Sequence, residues 1–92
     1  MKFDRNNLYD DFPITDYYKE NIVDAVTIKR GGGWWTALLL IKDPKSEKLM
    51  VNFYKWQLTD NGWKIRSRFK INSKKDCESI KDVLIKYSDE LT

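Results

Sequence analysis

Residues 63–71 read Trp63-Lys64-Ile65-Arg66-Ser67-Arg68-Phe69-Lys70-Ile71, and the alternation in this stretch decides how the chain folds. Successive side chains of an extended strand point to opposite faces of its sheet. Trp63, Ile65, Phe69 and Ile71 therefore share one side with Ser67, while Lys64, Arg66, Arg68 and Lys70 share the other. The apolar side asks for a core. A ladder of cations about 7 Å apart is unfavourable by itself and asks for an anionic partner, and a polyphosphate backbone is the commonest partner of that shape. The plain alternative is a solvated strand face.

Turn signals divide the chain outward from this strand. Thr59-Asp60-Asn61-Gly62 carries an Asn-Gly hairpin signal, which makes 49–58 the preceding strand. Asp43-Pro44-Lys45-Ser46-Glu47-Lys48 reads as a turn with proline in a favoured early position. Before it lies a strand over 34–42, then a hairpin turn at Gly31-Gly32-Gly33, then a first strand over 22–30. A helix follows Ile71. Ser73 is placed to cap it, with Asp76 near its positive end. Cys77, Ile80, Leu84, Tyr87 and Leu91, joined by Val83, recur at helical spacing. That stripe can cover the apolar face of the sheet, and the same narrow seam can pair with a second copy of the chain.

The pattern predicts an α+β fold. A curved four-stranded antiparallel sheet is followed by one C-terminal helix, β-β-β-β-α, over 22–92, with an irregular arm over 1–21. In the arm, Phe3, Leu8, Tyr9, Phe12, Ile14, Tyr17 and Tyr18 keep no period, and Pro13 interrupts them. A mobile arm, a short helix with a loop, and a lid packed on the sheet all fit. An acidic arm beside a basic sheet can also compete with nucleic acid for it.

Charge is divided along the 92 residues, whose formal net charge is +3. Residues 1–24 hold three basic and six acidic side chains, residues 25–75 hold twelve basic and three acidic, and residues 76–92 hold two basic and five acidic. The sheet segment is thus strongly cationic between acidic ends. A hydrophobic fraction of 41% with 14% aromatics fits one small globular domain. The longest apolar run, 34–41, is too short to span a bilayer and contains Thr36. The first residues carry no signal-peptide pattern. A lone cysteine, Cys77, excludes an internal disulfide and fits a reducing cytoplasm, with nucleoid association if the protein is cellular. With no histidine and one cysteine, no transition-metal site and no cofactor are expected.

Register across the Asn-Gly turn governs which side of 49–58 joins the cations. A loop of two or four residues puts Tyr54, Trp56 and Leu58 beside Ile65 and Phe69 in the core, and Phe53, Lys55 and Gln57 beside the arginines. A three-residue loop with Gly62 left-handed flips the parity, so that Asn52, Tyr54, Trp56 and Leu58 join Arg66 and Arg68. Rings among guanidinium groups would stack bases; the first arrangement gives only a charged groove.

The stretch from Trp34 to Leu84 resembles the positive-cofactor-four type of transcriptional coactivator and its small relatives. The matching blocks are Leu39-Leu40-Ile41-Lys42-Asp43, Val51-Asn52-Phe53-Tyr54-Lys55-Trp56, and Gly62 through Ile71. The resemblance implies a homodimeric β-β-β-β-α domain that binds single-stranded nucleic acid on its sheet. It implies a stacking role for Trp56, backbone contacts from Lys64 and Arg68, and a basic loop at Lys45 and Lys48. It favours the three-residue loop. This chain departs from the family's pattern at Ile65, Arg66, Ser67 and Phe69, where the family often has Pro-Gly between its cations and Gly after them, and at Pro44, which replaces a turn aromatic.

Of the adjacent Trp34 and Trp35, one is expected buried and one exposed, with a core role the better reading for either taken singly, and Trp63 is read as core. The glycine triplet lacks the Gly-Lys-Ser/Thr and the helix of a phosphate cradle. Asp10 with Asp11, and Asp89 with Glu90, read as solvated carboxylates, and Cys77 as a small buried hydrophobe with no base to activate it. The expected function is non-enzymatic, sequence-tolerant binding of single-stranded DNA or RNA, in replication, repair, recombination or transcription. Lys64, Arg66, Arg68 and Lys70 contact phosphates, Trp56 and Tyr54 stack bases, and Lys45, Lys48 and Lys55 extend the field. Ile80, Leu84 and Tyr87 form a homodimer seam. The alternative is a protein-interaction or inhibitor module that uses the sheet or the acidic arm.

Overall fold

A computed structural model describes residues 11–91. A short helix α1 (Asp16–Lys19) leads into β1 (Ile22–Gly31), β2 (Trp34–Lys42), β3 (Leu49–Thr59) and β4 (Gly62–Ile71), followed by helix α2 (Lys74–Ser88). Each strand pairs antiparallel with the next, so the sheet runs β1-β2-β3-β4. This is the α+β architecture that the turn signals predict.

Local chemistry closes each turn. Gly31 pairs with Trp34, and the two residues between them, Gly32 and Gly33, have φ of 60° and 82°. Only glycine takes both positions without strain, and such a turn matches the twist of the strands it joins. In the β2–β3 turn, Asp43 Oδ1 accepts the Lys45 N–H at 2.8 Å and the Ser46 N–H at 3.1 Å. The Ser46 and Lys45 N–H groups hold the Asp43 carboxyl below its usual range, helped by the charges of Lys70 and Lys45. At the third turn Thr59 pairs with Gly62, so the loop is Asp60-Asn61, with Gly62 left-handed at φ 100°. The Thr59 hydroxyl donates to the Gly62 carbonyl at 2.7 Å and accepts the Asn61 N–H at 3.2 Å.

Register then changes inside the hairpin. Trp56 faces Ile65, but the next residue, Lys55, faces Ser67, so Arg66 is an extra residue on β4. Such a bulge flips the parity of everything beyond it. Each register considered from the sequence therefore describes one end of the strand pair. Near the turn Trp56 meets Ile65 and Gln57 meets Lys64. Beyond the bulge Tyr54 meets Arg68, Asn52 meets Lys70, and Phe53 meets Phe69. The expected ladder of four cations on one side is thereby divided between two faces.

One face of the sheet, the inner one, carries the core. Trp35, Ala37, Leu39 and Ile41 of β2 and Met50, Tyr54 and Trp56 of β3 are buried there with Ile22 of β1. The arm closes it. Phe12 is buried and stacks on Trp35 with centroids 5.0 Å apart, 6.0 Å from the Trp56 ring. The Trp56 indole N–H donates to the Pro13 carbonyl at 3.2 Å, and Ile14 and Tyr18 pack alongside. Residues 11–21 are thus a short helix with a loop, laid on the sheet as a lid. The arm's other apolar side chains, Phe3, Leu8 and Tyr9, and the Asp10 of the Asp10-Asp11 pair lie outside the described residues.

The expectation that α2 covers the core is corrected by that lid. The Ser73 hydroxyl does cap α2, accepting the Asp76 N–H at 3.2 Å, yet no residue of the helix is buried. Cys77, expected inside, is exposed. The helix stands at one end of the outer face, and a groove of about 420 Å³ runs between Leu38, Val51, Phe53 and Ile71 of the sheet and Ile80, Leu84 and Ile85 of the helix.

Candidate nucleic-acid interface

The bulge sets the geometry of the candidate site. On the outer face, at the end away from α2, Trp34 lies opposite Gln57, and Gln57 lies opposite Lys64. In the adjoining row Lys29, Thr36, Lys55 and Ser67 follow one another across the four strands. Arg66 Nε donates to Gln57 Oε1 at 2.9 Å, which lays the guanidinium onto this face. The Lys55 ammonium sits 5.0 Å from the centre of the Trp34 ring, within cation–π range. Trp34 is 38% exposed while its neighbour Trp35 is 2% exposed, as strand alternation requires of an adjacent pair. The result is a flat ring beside Lys55, with Lys29, Lys64 and Arg66 around it.

Among the described residues these cations have no acidic counterweight. The ion pairs there are Lys19–Asp16, Lys42–Glu47, Lys74–Glu78 and Lys81–Asp82. None of them engages Lys29, Lys55, Lys64, Arg66, Arg68 or Lys70. The described part of the arm lies on the inner face and does not compete for this outer patch.

Several expected site residues lie elsewhere. Trp56 is fully buried and Tyr54 is 3% exposed, and their rings stack on each other at 5.0 Å and 5°. Neither is a platform for a base, because Phe12 and Pro13 lie against Trp56 and Tyr54 is stacked on that ring. Arg68 and Lys70 stand on the inner face opposite Tyr54 and Asn52. Lys45 and Lys48 lie in the β2–β3 turn, at the far end of β3 from Lys55 by about 20 Å of extended chain, and do not extend the Trp34 patch. Lys64, Arg66 and Lys55 do come together. Trp34 and Lys29 are additions. No periodicity could single out Trp34, since 34–41 is apolar at every position except Thr36.

Trp63 is partly buried against the core, and its ring meets Trp35 edge-on at 5.6 Å. The Arg30 guanidinium lies 4.0 Å from the Trp35 ring centre and closes the core at the hairpin end. Among the described residues no cluster of His, Cys, Asp or Glu could hold a metal ion, and no helix is long and apolar enough to cross a membrane.

No family model, curated protein or solved structure matches this chain.

Proposed function

We propose that this protein binds single-stranded DNA or RNA without catalysis and with little sequence preference, on the outer face around Trp34. The observation that carries this reading is a half-exposed indole among Lys29, Lys55, Lys64 and Arg66, none of them in an ion pair among the described residues. Phosphates neutralise the cations and release counterions, and a base stacks on the ring. The resemblance to the positive-cofactor-four type of coactivator supports the same activity through the β-β-β-β-α order, while the stacking ring becomes Trp34 instead of Trp56. The lone Cys77 fits a reducing cytoplasm. Titrating oligo-dT into the protein at two salt concentrations tests the reading. Indole fluorescence is expected to be quenched, with a log–log salt slope of about −0.7 per phosphate contact. No quenching at low salt would overturn it and favour a protein ligand.

Self-association belongs to the same proposal. A 15-residue helix with no buried side chain gains little stability alone. Its Leu84, Ile85 and Tyr87 are 53–59% exposed, and Phe69 of the sheet is 55% exposed. A second copy, related by a two-fold axis, would cover both apolar surfaces with the same residues. Leu84→Asp is expected to convert a dimer to a monomer in sedimentation analysis. A wild type already monomeric at high concentration would refute the seam.

A further inference from the structure

The inner face carries a second polar feature, at the edge of the core and away from the Trp34 patch. A pocket of about 250 Å³ is lined by Tyr18, Met50, Asn52, Tyr54, Arg68 and Lys70. The β3–β4 register builds it, with Asn52 opposite Lys70 and Tyr54 opposite Arg68 on one face. Tyr18, from α1, forms its remaining wall.

Asn52 is the unusual member. It is 4% exposed, and its Nδ2 has no hydrogen-bond partner. An unpaired buried amide donor costs stability, and such groups are rare unless a ligand, ion or water completes them. Beside it stand Arg68 and Lys70, whose backbone positions are about 7 Å apart along β4, with no carboxylate in ion-pair distance of either among the described residues. Asp43 feels the Lys70 charge, but its Oδ1 is engaged by its own turn. Every charged or amide nitrogen lining the pocket is a donor. The space is below the about 300–1,000 Å³ of ordinary organic-ligand sites, so it suits a small acceptor-rich anion.

We propose that this pocket binds a phosphate monoester dianion. The guanidinium fork takes two oxygens, Lys70 supplies the second positive charge, and Asn52 Nδ2 donates to a third oxygen. Two cations match two negative charges, which favours a terminal phosphate over an internal phosphodiester. The site lies on the opposite face of the sheet from Trp34 and does not depend on the strand-binding reading. A free phosphate, a nucleoside monophosphate and the phosphorylated end of a strand all present this chemistry.

Calorimetric titration of the full chain with inorganic phosphate, thymidine 5′-monophosphate and thymidine separates these sources, together with oligo-dT carrying a 5′-phosphate or a 5′-hydroxyl. One saturable site for phosphate and for the monophosphate, and none for thymidine, is expected. A gain for the 5′-phosphorylated oligonucleotide assigns the site to strand ends; equal binding of the two oligonucleotides assigns it to small phosphates. Arg68→Gln/Lys70→Gln, which alters only exposed residues, should weaken phosphate by about tenfold or more. Asn52→Asp should do the same by setting a carboxylate against the ligand, and the double variant decides alone if that protein does not fold. Absence of saturable phosphate binding, equal binding of thymidine, or undiminished binding by the double variant overturns the proposal. Lys64→Gln/Arg66→Gln should leave phosphate binding intact while weakening oligonucleotides, so the two sites fail separately.

Discussion

Phe12→Ala is expected to lower the free energy of unfolding by about 3–5 kcal/mol. Globular stability of about 0.05–0.15 kcal/mol per residue makes that a large share of the total for 92 residues. The size follows from position. Phe12 is the ring that covers Trp35 and Trp56, and the core it closes lies on the face that α2 does not touch. Removing it leaves a cavity beneath the lid and weakens the stacked aromatic pair, itself worth about 0.5–1.5 kcal/mol. It also loosens the segment whose Pro13 carbonyl accepts the Trp56 N–H. Urea unfolding followed by tryptophan fluorescence measures the change. A midpoint within error of the wild type would mean that the lid does not complete the core.

Replacing Lys55, Lys64 and Arg66 together by glutamine is expected to reduce the salt slope of oligonucleotide binding by about 2, since each phosphate left without its cation takes about 0.7 off the slope. Lys55, Lys64 and Arg66 are exposed, so circular dichroism should not change. Trp34→Ala should cost about 1–3 kcal/mol of binding, the usual penalty when a base is deprived of its ring, and should abolish most of the fluorescence quenching. The two variants separate charge from stacking. A triple variant with the wild-type slope, or a Trp34→Ala protein that is quenched as before, would remove the outer face from consideration.

Much of the architecture is legible in the residues because its signals are local. The glycine triplet, Asp43-Pro44, Asn61-Gly62 and the Ser73 cap each act over a few positions, and they mark the strand and helix ends. The candidate site is less legible. The bulge at Arg66 comes from the packing of β4 against β3, and nothing in the alternation of 63–71 announces an extra residue. Without that bulge the alternation puts four cations on one face, and the register that joins Trp56 to them leaves its ring open to solvent. The arm offers no period to read, so its occupation of the inner face is only one of three possibilities in the sequence. The helical stripe from Cys77 to Leu91 is visible, but what lies against it depends on which face the arm has already taken.

β4 has a further consequence through its place at the rim of the sheet, where, among the described residues, one side of its backbone has no strand beside it. A flat, apolar margin of that kind recruits stray strands and starts aggregates. Here the margin is kinked by the additional residue at Arg66 and bristles with positive charge toward both surfaces, so another copy cannot simply add itself as a fifth strand. Growth by sheet extension at this edge is thus discouraged, which leaves the helical side of the molecule for the proposed self-association.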